Sequence, residues 1–455
     1  MRKVMAFLTV AACLALPLVG AGWAAADDYV LTAGQWGSAQ TAAVAAAGGT
    51  VKWAHGEAGV GVAVSSNAAF LSKVLAGGAF QYAGKDTITR WQPPVRTAGL
   101  EQAAVTPGDE TFINMQWNIP AIDAPGAWAA GYTGAGARVA VLDGGIYKTH
   151  IDLAGQIDEA ASRSFVPGKV WNTDTGTFWH GTHVAGIVAA KDNGIGTIGV
   201  APGATIIGVK VLDNGSGAFS WVIQGILYAA TPMDQGGAGA DIINMSLGAT
   251  FARGGGPGGG PLIAALNKAV NYAARNTLVV VAAGNDGLDI DHSGSVITVP
   301  AQSGSGIAIS ATGPVGYAVG WPIGATNFSR PASYTNYGNS LVWVAAPGGD
   351  FAYPGNENCT VPRVPAGTVT NPCWVFDMVM STVRGSTASI SSYSWAAGTS
   401  MAAPHVAGVA ALIKQAHPEY GAAQLKNAIA QSADGQGHDP YLGRGFLNAA
   451  RAVTE

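Results

Sequence analysis

From Trp117 onward the chain predicts a three-layer α/β/α domain around a central parallel sheet. Short apolar runs alternate there with Ala-rich helical segments, the order that a parallel sheet covered on both faces requires. Glycine is unusually frequent, at 65 of 455 residues, which suits tight turns and helices packed close to a sheet. Hydrophobic residues make up 48% and charged residues only 11%, so a large core can be filled. A formal net charge of -4 without any basic block argues against nucleic acid as a partner.

The elements follow in order. Arg2 and Lys3 precede an apolar run from Val4 to about Val19, and Ala24-Ala25-Ala26 then supplies small residues before Asp27. That is the pattern of a cleavable export signal over residues 1–26. The run is short for a membrane span. A lipoprotein acylation reading at Cys13 would leave a very short signal with apolar residues still following. Residues 27–110 predict a small α+β unit whose end falls between about 90 and 116. In it Thr50–Trp53 and Gly59–Val64 alternate as strands, and Asn67 caps a helix over Ala68–Leu75. Gln92–Asp109 loses periodicity and contains Pro93, Pro94 and Pro107, as a linker would.

In the large domain, 111–455, strands are expected at Arg138–Leu142, Thr205–Val211, Ile242–Ser246, Leu278–Ala283, Ile307–Ala311 and Val342–Ala345. Helices are expected at His180–Ala190, Ser220–Ala230, Leu262–Asn276, Met401–Ala416 and Ala422–Gln431. Two insertions are expected as loops, one glycine-rich at Gly254–Pro261 and one long at Gly348–Val375. Removal of residues 1–26 would leave only Cys359 and Cys373, both in that long loop. In an oxidising compartment they would form a disulfide pinning it; two free surface thiols are the alternative.

Three blocks carry the chemistry. Val139-Ala140-Val141-Leu142-Asp143-Gly144-Gly145 is a buried strand ending in a carboxylate and a tight turn. His180-Gly181-Thr182-His183-Val184-Ala185-Gly186 puts an imidazole at the head of a helix, and Gly398-Thr399-Ser400-Met401-Ala402-Ala403-Pro404-His405 puts a hydroxyl at the head of another. A carboxylate, an imidazole and a hydroxyl are the parts that make serine a nucleophile near neutral pH. Each has a plainer reading: Ser400 as a helix N-cap, His180 as a satisfied core histidine. Metal ligation by His180 and His183 lacks the glutamate and four-residue spacing of the zinc-peptidase signature. Gly398-x-Ser400-x-Ala402 suggests a lipase elbow, but that fold runs serine, acid, histidine, whereas here both partners precede the serine.

Together "VLDGG", "HGTHVAG" and "GTSMAAPHVAG", with "NMSLG" at Asn244–Gly248, "VVVAAGNDG" at Val279–Gly287 and "GRGFLNAARAV" at the close, resemble the subtilisin-like serine peptidases. The resemblance departs from the family at Gly144, where Ser or Thr is usual. It implies a subtilisin-like peptidase domain with Asp143 as orienting acid, His180 as general base and acid, and Ser400 as nucleophile. Asn285 would donate to the oxyanion, together with the Ser400 amide. Substrate would add as a strand along Gly215-Ser216-Gly217 and Ser246-Leu247-Gly248, with Ala283 and Gly284 beside it. The specificity pocket would have Thr298 at its base, favouring modest apolar side chains, or be ruled by Asp286 at its rim, drawing a basic one.

The resemblance further implies a structural Ca²⁺ held by Asp152, Lys191, Asn193, Ile195 and Thr197, with Gln116 as an added ligand, and no catalytic cofactor. Residues 27–110 would be an inhibitor-type propeptide, laying its tail in the cleft. The protein would be a secreted, monomeric endopeptidase acting on polypeptides, with its own propeptide as partner and no membrane association after signal removal. The rival readings are a catalytically idle binding protein of the same fold and an esterase or lipase.

Overall fold

The computed structural model describes residues 26–92, 95–101, 110–253, 259–322, 324, 326–385, 391–435 and 437–454. The export signal (Ala26 apart), Cys13, residues 102–109 of the expected linker and residues 254–258 of the glycine-rich loop lie outside them.

A seven-stranded parallel sheet forms the centre. Its order is Val342–Pro347, Ile307–Thr312, Leu278–Ala282, Ile242–Met245, Arg138–Asp143, Thr205–Lys210, and the short edge strand Arg163–Ser164. Every expected strand is present to within two residues. The strands are apolar on both faces because both are covered. Val139 and Val141 pack under the helices His180–Ala189, Thr399–Ala416 and Ala422–Ser432. Ala140 and Leu142 pack under Phe219–Ala230 and Gly259–Ala273 on the other side. The last of these helices starts three residues earlier than expected, since Pro261 in a first turn lacks only an amide that would be unpaired there anyway.

Residues 27–85 fold as a four-stranded antiparallel sheet, in the order Thr50–His55, Val60–Ser65, Asp27–Thr32, Tyr82–Lys85. Helices Ser38–Ala46 and Phe70–Ala76 pack on one face. The first helix is nearly illegible in the sequence: only Val44 of it is buried, so alanines give no amphipathic contrast. The opposite face of the sheet sits on the helices of the large domain, and Val30 and Val60 join the core beneath Phe219–Ala230 and Gly259–Ala273. Asp86 accepts a hydrogen bond from the Ser220 amide at the head of the former helix (3.3 Å). The His55 ring meets Tyr272 of the latter edge-on at 4.6 Å.

Two expectations need correction. The linker at Gln92–Asp109 contains a strand, Arg96–Glu101, which pairs antiparallel with Ser391–Ala397. Gly99, at φ +68° against the Trp395 ring, breaks its alternation, so no period-two pattern marks it. The loop at Gly348–Val375 contains a hairpin, Asn358–Pro362 with Thr368–Pro372, beside which Cys359 and Cys373 are disulfide-bonded.

Helix His180–Ala189 owes its depth to glycine. A Cβ on Gly186 would lie 2.3 Å from Thr382 Oγ1 and 2.4 Å from Ser381 Oγ, on the strand Val379–Arg384. Those hydroxyls donate to the Thr182 and His183 carbonyls at 2.8 Å each. Gly186→Ala is therefore expected to cost about 1–3 kcal/mol, read as a lower urea midpoint at an unchanged m-value.

Candidate active site

The three chemical blocks converge at the carboxyl end of the sheet, where open α/β folds place their ligand crevice. Asp143 is the last residue of its strand and is buried. Its Oδ1 accepts from the Gly144 amide at 2.6 Å, and its Oδ2 accepts from His180 Nδ1 at 2.8 Å. That bond assigns the proton of the imidazole to Nδ1 and turns Nε2 outward as the basic nitrogen. Gly181 makes the approach feasible, because a Cβ there would stand 2.6 Å from the Gly145 carbonyl oxygen and 3.0 Å from Asp143 Cβ. Trp179 precedes His180 in the left-handed conformation at φ +53°, a strained turn that sets the helix start.

His183 is not a second site histidine. Its Nε2 donates to the Ser394 carbonyl at 3.0 Å, and burial drives its pKa down to about 3. The imidazole is held neutral in the core, away from His180's partner, which excludes the paired metal-ligand reading. Among the described residues no group of three or more His, Cys, Asp or Glu gathers as a metal site.

Ser400 lies in the first turn of helix Thr399–Ala416. Four residues on, Pro404 has no amide to give the Ser400 carbonyl. Ser246 Oγ takes its place, donating to that carbonyl at 2.7 Å, while Ser400 Oγ donates to the Ser246 carbonyl at 3.2 Å. Ser246 thus clamps the nucleophile candidate from a neighbouring strand end. His180 Nε2 is buried and has no hydrogen-bond partner among the described residues. The hydroxyl is therefore directed at Ser246, and the imidazole faces a cavity of about 230 Å³ shared with Asp174, Trp179, Gln92 and Val95.

Asn285 is oriented by Thr399. Its Oδ1 accepts from the Thr399 amide at 2.9 Å and the Thr399 hydroxyl at 2.7 Å, so the amide nitrogen is presented on the Gly398 side. Asn336 holds the turn beneath it, accepting from the Asp286 and Leu288 amides (3.0 Å each) and donating to the Ala283 carbonyl at 3.1 Å. Gly284 sits there at φ +107°, with its missing Cβ only 2.3 Å from Asn336 Nδ2. Gly248, Gly284, Asp286 and Thr298 line a cavity of about 330 Å³. Thr298 is buried at its base, Asp286 lies exposed at its rim, and Thr250 bridges the two with contacts of 3.0 and 3.2 Å.

The edges Gly215–Gly217 and Ser246–Gly248 are already paired. The strand Ile88–Arg90 runs antiparallel to Ser216–Ala218, Trp91 and Gln92 both donate to the Gly215 carbonyl, and Gly248 donates to the Trp91 carbonyl at 2.7 Å. The Trp91 ring is fully buried against Phe219 at 4.7 Å and donates to the Gly217 carbonyl. The chain then passes Val95, beside Gly398, into the strand Arg96–Glu101.

Two residues the sequence did not disclose complete the surroundings. A Cβ on Gly144 would lie 2.4 Å from Asp174 Oδ2, so a second carboxylate fills the space a side chain would take. Burial pushes the Asp174 carboxyl up, against hydrogen bonds from the Gly176 and Asn214 amides. Lys210, wholly buried, donates to the Gly144 and Leu212 carbonyls and to Asp213. No local pattern marks their place beside Gly144, because each reaches it from a segment distant in sequence.

The residues expected around calcium are also brought together. Asp152 is buried, and the groups facing its carboxylate are neutral: the Thr197 amide at 3.0 Å, Asn193 Nδ2 at 3.4 Å, and hydroxyls of Thr197 and Tyr393. Burial pushes this carboxyl up to about 7. Gln116 Oε1 accepts from the Ile198 amide at 3.0 Å in the same loop, which Lys191 opens by donating its amide to the Asp152 carbonyl. Among the described residues no Lys or Arg pairs with this buried carboxylate, and the Asn193 and Gln116 side-chain oxygens sit at the same loop, a donor set that suits a hard cation.

The Subtilase family profile matches residues 134–446. The chain belongs to the subtilase family of serine endopeptidases. It is 37% identical to M-protease of Shouchella clausii over 342 residues, covering 75% of this chain and 70% of that one. A protease structure from Pseudoalteromonas arctica is 30% identical with a TM-score of 0.60, covering 77% of this chain and 99% of the other. Fervidolysin from Fervidobacterium pennivorans, 23% identical, shares the fold with a TM-score of 0.69, covering 96% of this chain and 62% of the other.

Gly144→Ala is expected to displace Asp174 and disturb the acid. It should lower kcat on a peptide substrate about 10- to 100-fold with little change in KM, measured by steady-state kinetics.

Proposed function

We propose that the chain is made as a secreted, self-inhibited zymogen that hydrolyses peptide bonds through Asp143, His180 and Ser400. The observation that carries this reading is the 2.8 Å Asp143–His180 bond in a cleft lined by the chain's own residues 88–92 and 95–101. Ser400 Oγ turns from Ser246 toward His180 Nε2, gives up its proton there and attacks the substrate carbonyl. Asp143 holds the imidazole in the required tautomer and stabilises the imidazolium. The Asn285 amide and the Ser400 backbone amide hold the developing oxyanion, and His180 then protonates the leaving amine. Water repeats the sequence on the acyl-enzyme.

Residues 27–110 act as the inhibitor-type propeptide. Their sheet covers two helices of the peptidase domain, and their tail pairs with both substrate-binding edges, which keeps other polypeptides out. The pattern at residues 1–26 supports export, as does the disulfide. No helix of the described residues is long and apolar enough to cross a membrane. Asp152, Asn193, Gln116 and the carbonyls of Lys191, Ile195 and Thr197 would hold a calcium ion, which would neutralise the buried carboxylate and fasten this loop.

Expressed in full, the native chain should process itself to a form beginning between residues 90 and 116, read by N-terminal sequencing, and digest casein. Ser400→Ala should do neither; a variant that matures and digests equally well overturns the mechanism. Asn285→Ala should retain binding but lose about 100- to 1000-fold in kcat, the size such a loss has in a subtilisin.

Chelation with EDTA should lower the melting temperature by about 5 °C, and added Ca²⁺ should restore it. Asp152→Asn should melt at the same temperature with or without EDTA.

A further inference from the structure

Arg96 lies just past the centre of the cleft. Val95, which precedes it, has its Cγ1 3.1 Å from where a Gly398 Cβ would stand, the same distance as Asn285 Nδ2. Arg96 then pairs with Ala397, after residues 88–92 have paired with the Gly215–Ala218 edge. A chain running from the Gly215 edge through Gly398 to Ala397 has crossed the nucleophile. Arg96 therefore stands where the leaving-group side of a substrate would stand. This placement rests on the proposal that residues 88–92 and 95–101 occupy the cleft as a substrate does.

The Arg96 guanidinium lies 4.9 Å from the ring centroid of Trp374 and 5.9 Å from that of Phe351. Both rings come from the insertion at 348–375, and each is held by contacts other than Arg96. Phe351 stacks on Tyr334 at 5.6 Å and an interplanar angle of 9°, and the Tyr334 hydroxyl donates to the Gly348 and Gly349 carbonyls. Trp374 donates from Nε1 to Asn356 Oδ1 at 3.3 Å and follows the disulfide-bonded Cys373. Phe351 is 37% exposed, so its face is open to a charged side chain. Two preset aromatic faces around one cation are a recognition device for guanidinium and ammonium groups.

We propose that Phe351 and Trp374 form a leaving-group-side subsite that selects a basic side chain at the second residue past the cleaved bond. Arg96 is its internal occupant before processing. The disulfide-bonded hairpin serves to hold Trp374 at the cleft, as Tyr334 holds Phe351.

The test uses enzyme matured from the full chain and internally quenched peptides identical except at that residue, which is Arg, Lys, citrulline, Ala or Glu. Mass spectrometry of the fragments fixes the cleaved bond. Arg should exceed citrulline, its uncharged isostere, about fivefold in kcat/KM, with Lys between them and Glu lowest. Phe351→Ala and Trp374→Leu should each bring Arg and citrulline to within about twofold of one another, read as the ratio of the two peptides on the same variant. Equal rates for Arg and citrulline, or a preference that survives both substitutions, overturn the subsite while cleavage of the alanine peptide shows the protease intact. A preference for Arg at another position overturns the register. Failure to cut any peptide overturns the endopeptidase reading and the subsite with it.

Discussion

The contact between a helix head and a strand end, through Gly181, is the constraint on which the site depends. Any side chain at that position would strike the Gly145 carbonyl and Asp143. The helix would then stand off, and the 2.8 Å hydrogen bond that fixes the His180 tautomer would be lost. Gly186, further along, allows the same helix to sink against Ser381 and Thr382. The motif around His180 is thus mostly a packing statement, and its one chemical residue works because the others are small or satisfied.

The helix bearing Ser400 has the complementary problem. Pro404 deprives the Ser400 carbonyl of its helical donor, and Ser246 supplies one from the strand-end turn. In the same turn the Gly248 amide donates to the Trp91 carbonyl. Bracing of Ser400 and pairing of the chain's own residue 91 therefore share one backbone segment. Around this pair the other buried histidines are kept uncharged: burial holds His150 and His405 near a pKa of about 4. His150 donates to or accepts from only neutral groups, and His405 is shared between the Met401 carbonyl and Asn118.

The peptidase domain was legible because its elements obey strong periodic rules. Strands buried on both faces appear as unbroken apolar runs, and the helices between them start at glycine-bearing motifs. The small domain was half legible. Thr50–His55 and Val60–Ser65 alternate, but Ser38–Ala46 is written in alanines, and Asp27–Thr32 becomes a strand only by pairing on both edges. Arg96–Glu101 was hidden for a related reason: main-chain pairing with Ser391–Ala397 holds it, not an apolar face. Asp143, His180, Ser400 and Asn285 could be named from motifs. Asp174, Thr399 as the orienter of Asn285, and Asn336 could not be assigned their places.

By itself the sequence determined the order of strands and helices, the chemical identity of the reactive groups and the backbone positions where only glycine fits. These are local properties, set by periodicity, small side chains and turn chemistry within a few residues. Tertiary structure alone decided that Asp174 occupies the void at Gly144, that Ser246 braces Ser400, and that Trp91 and Arg96 lie in the cleft. Those are contacts between segments up to some three hundred residues apart. No local pattern encodes them, because the space each side chain fills exists only once the other segment has folded beside it.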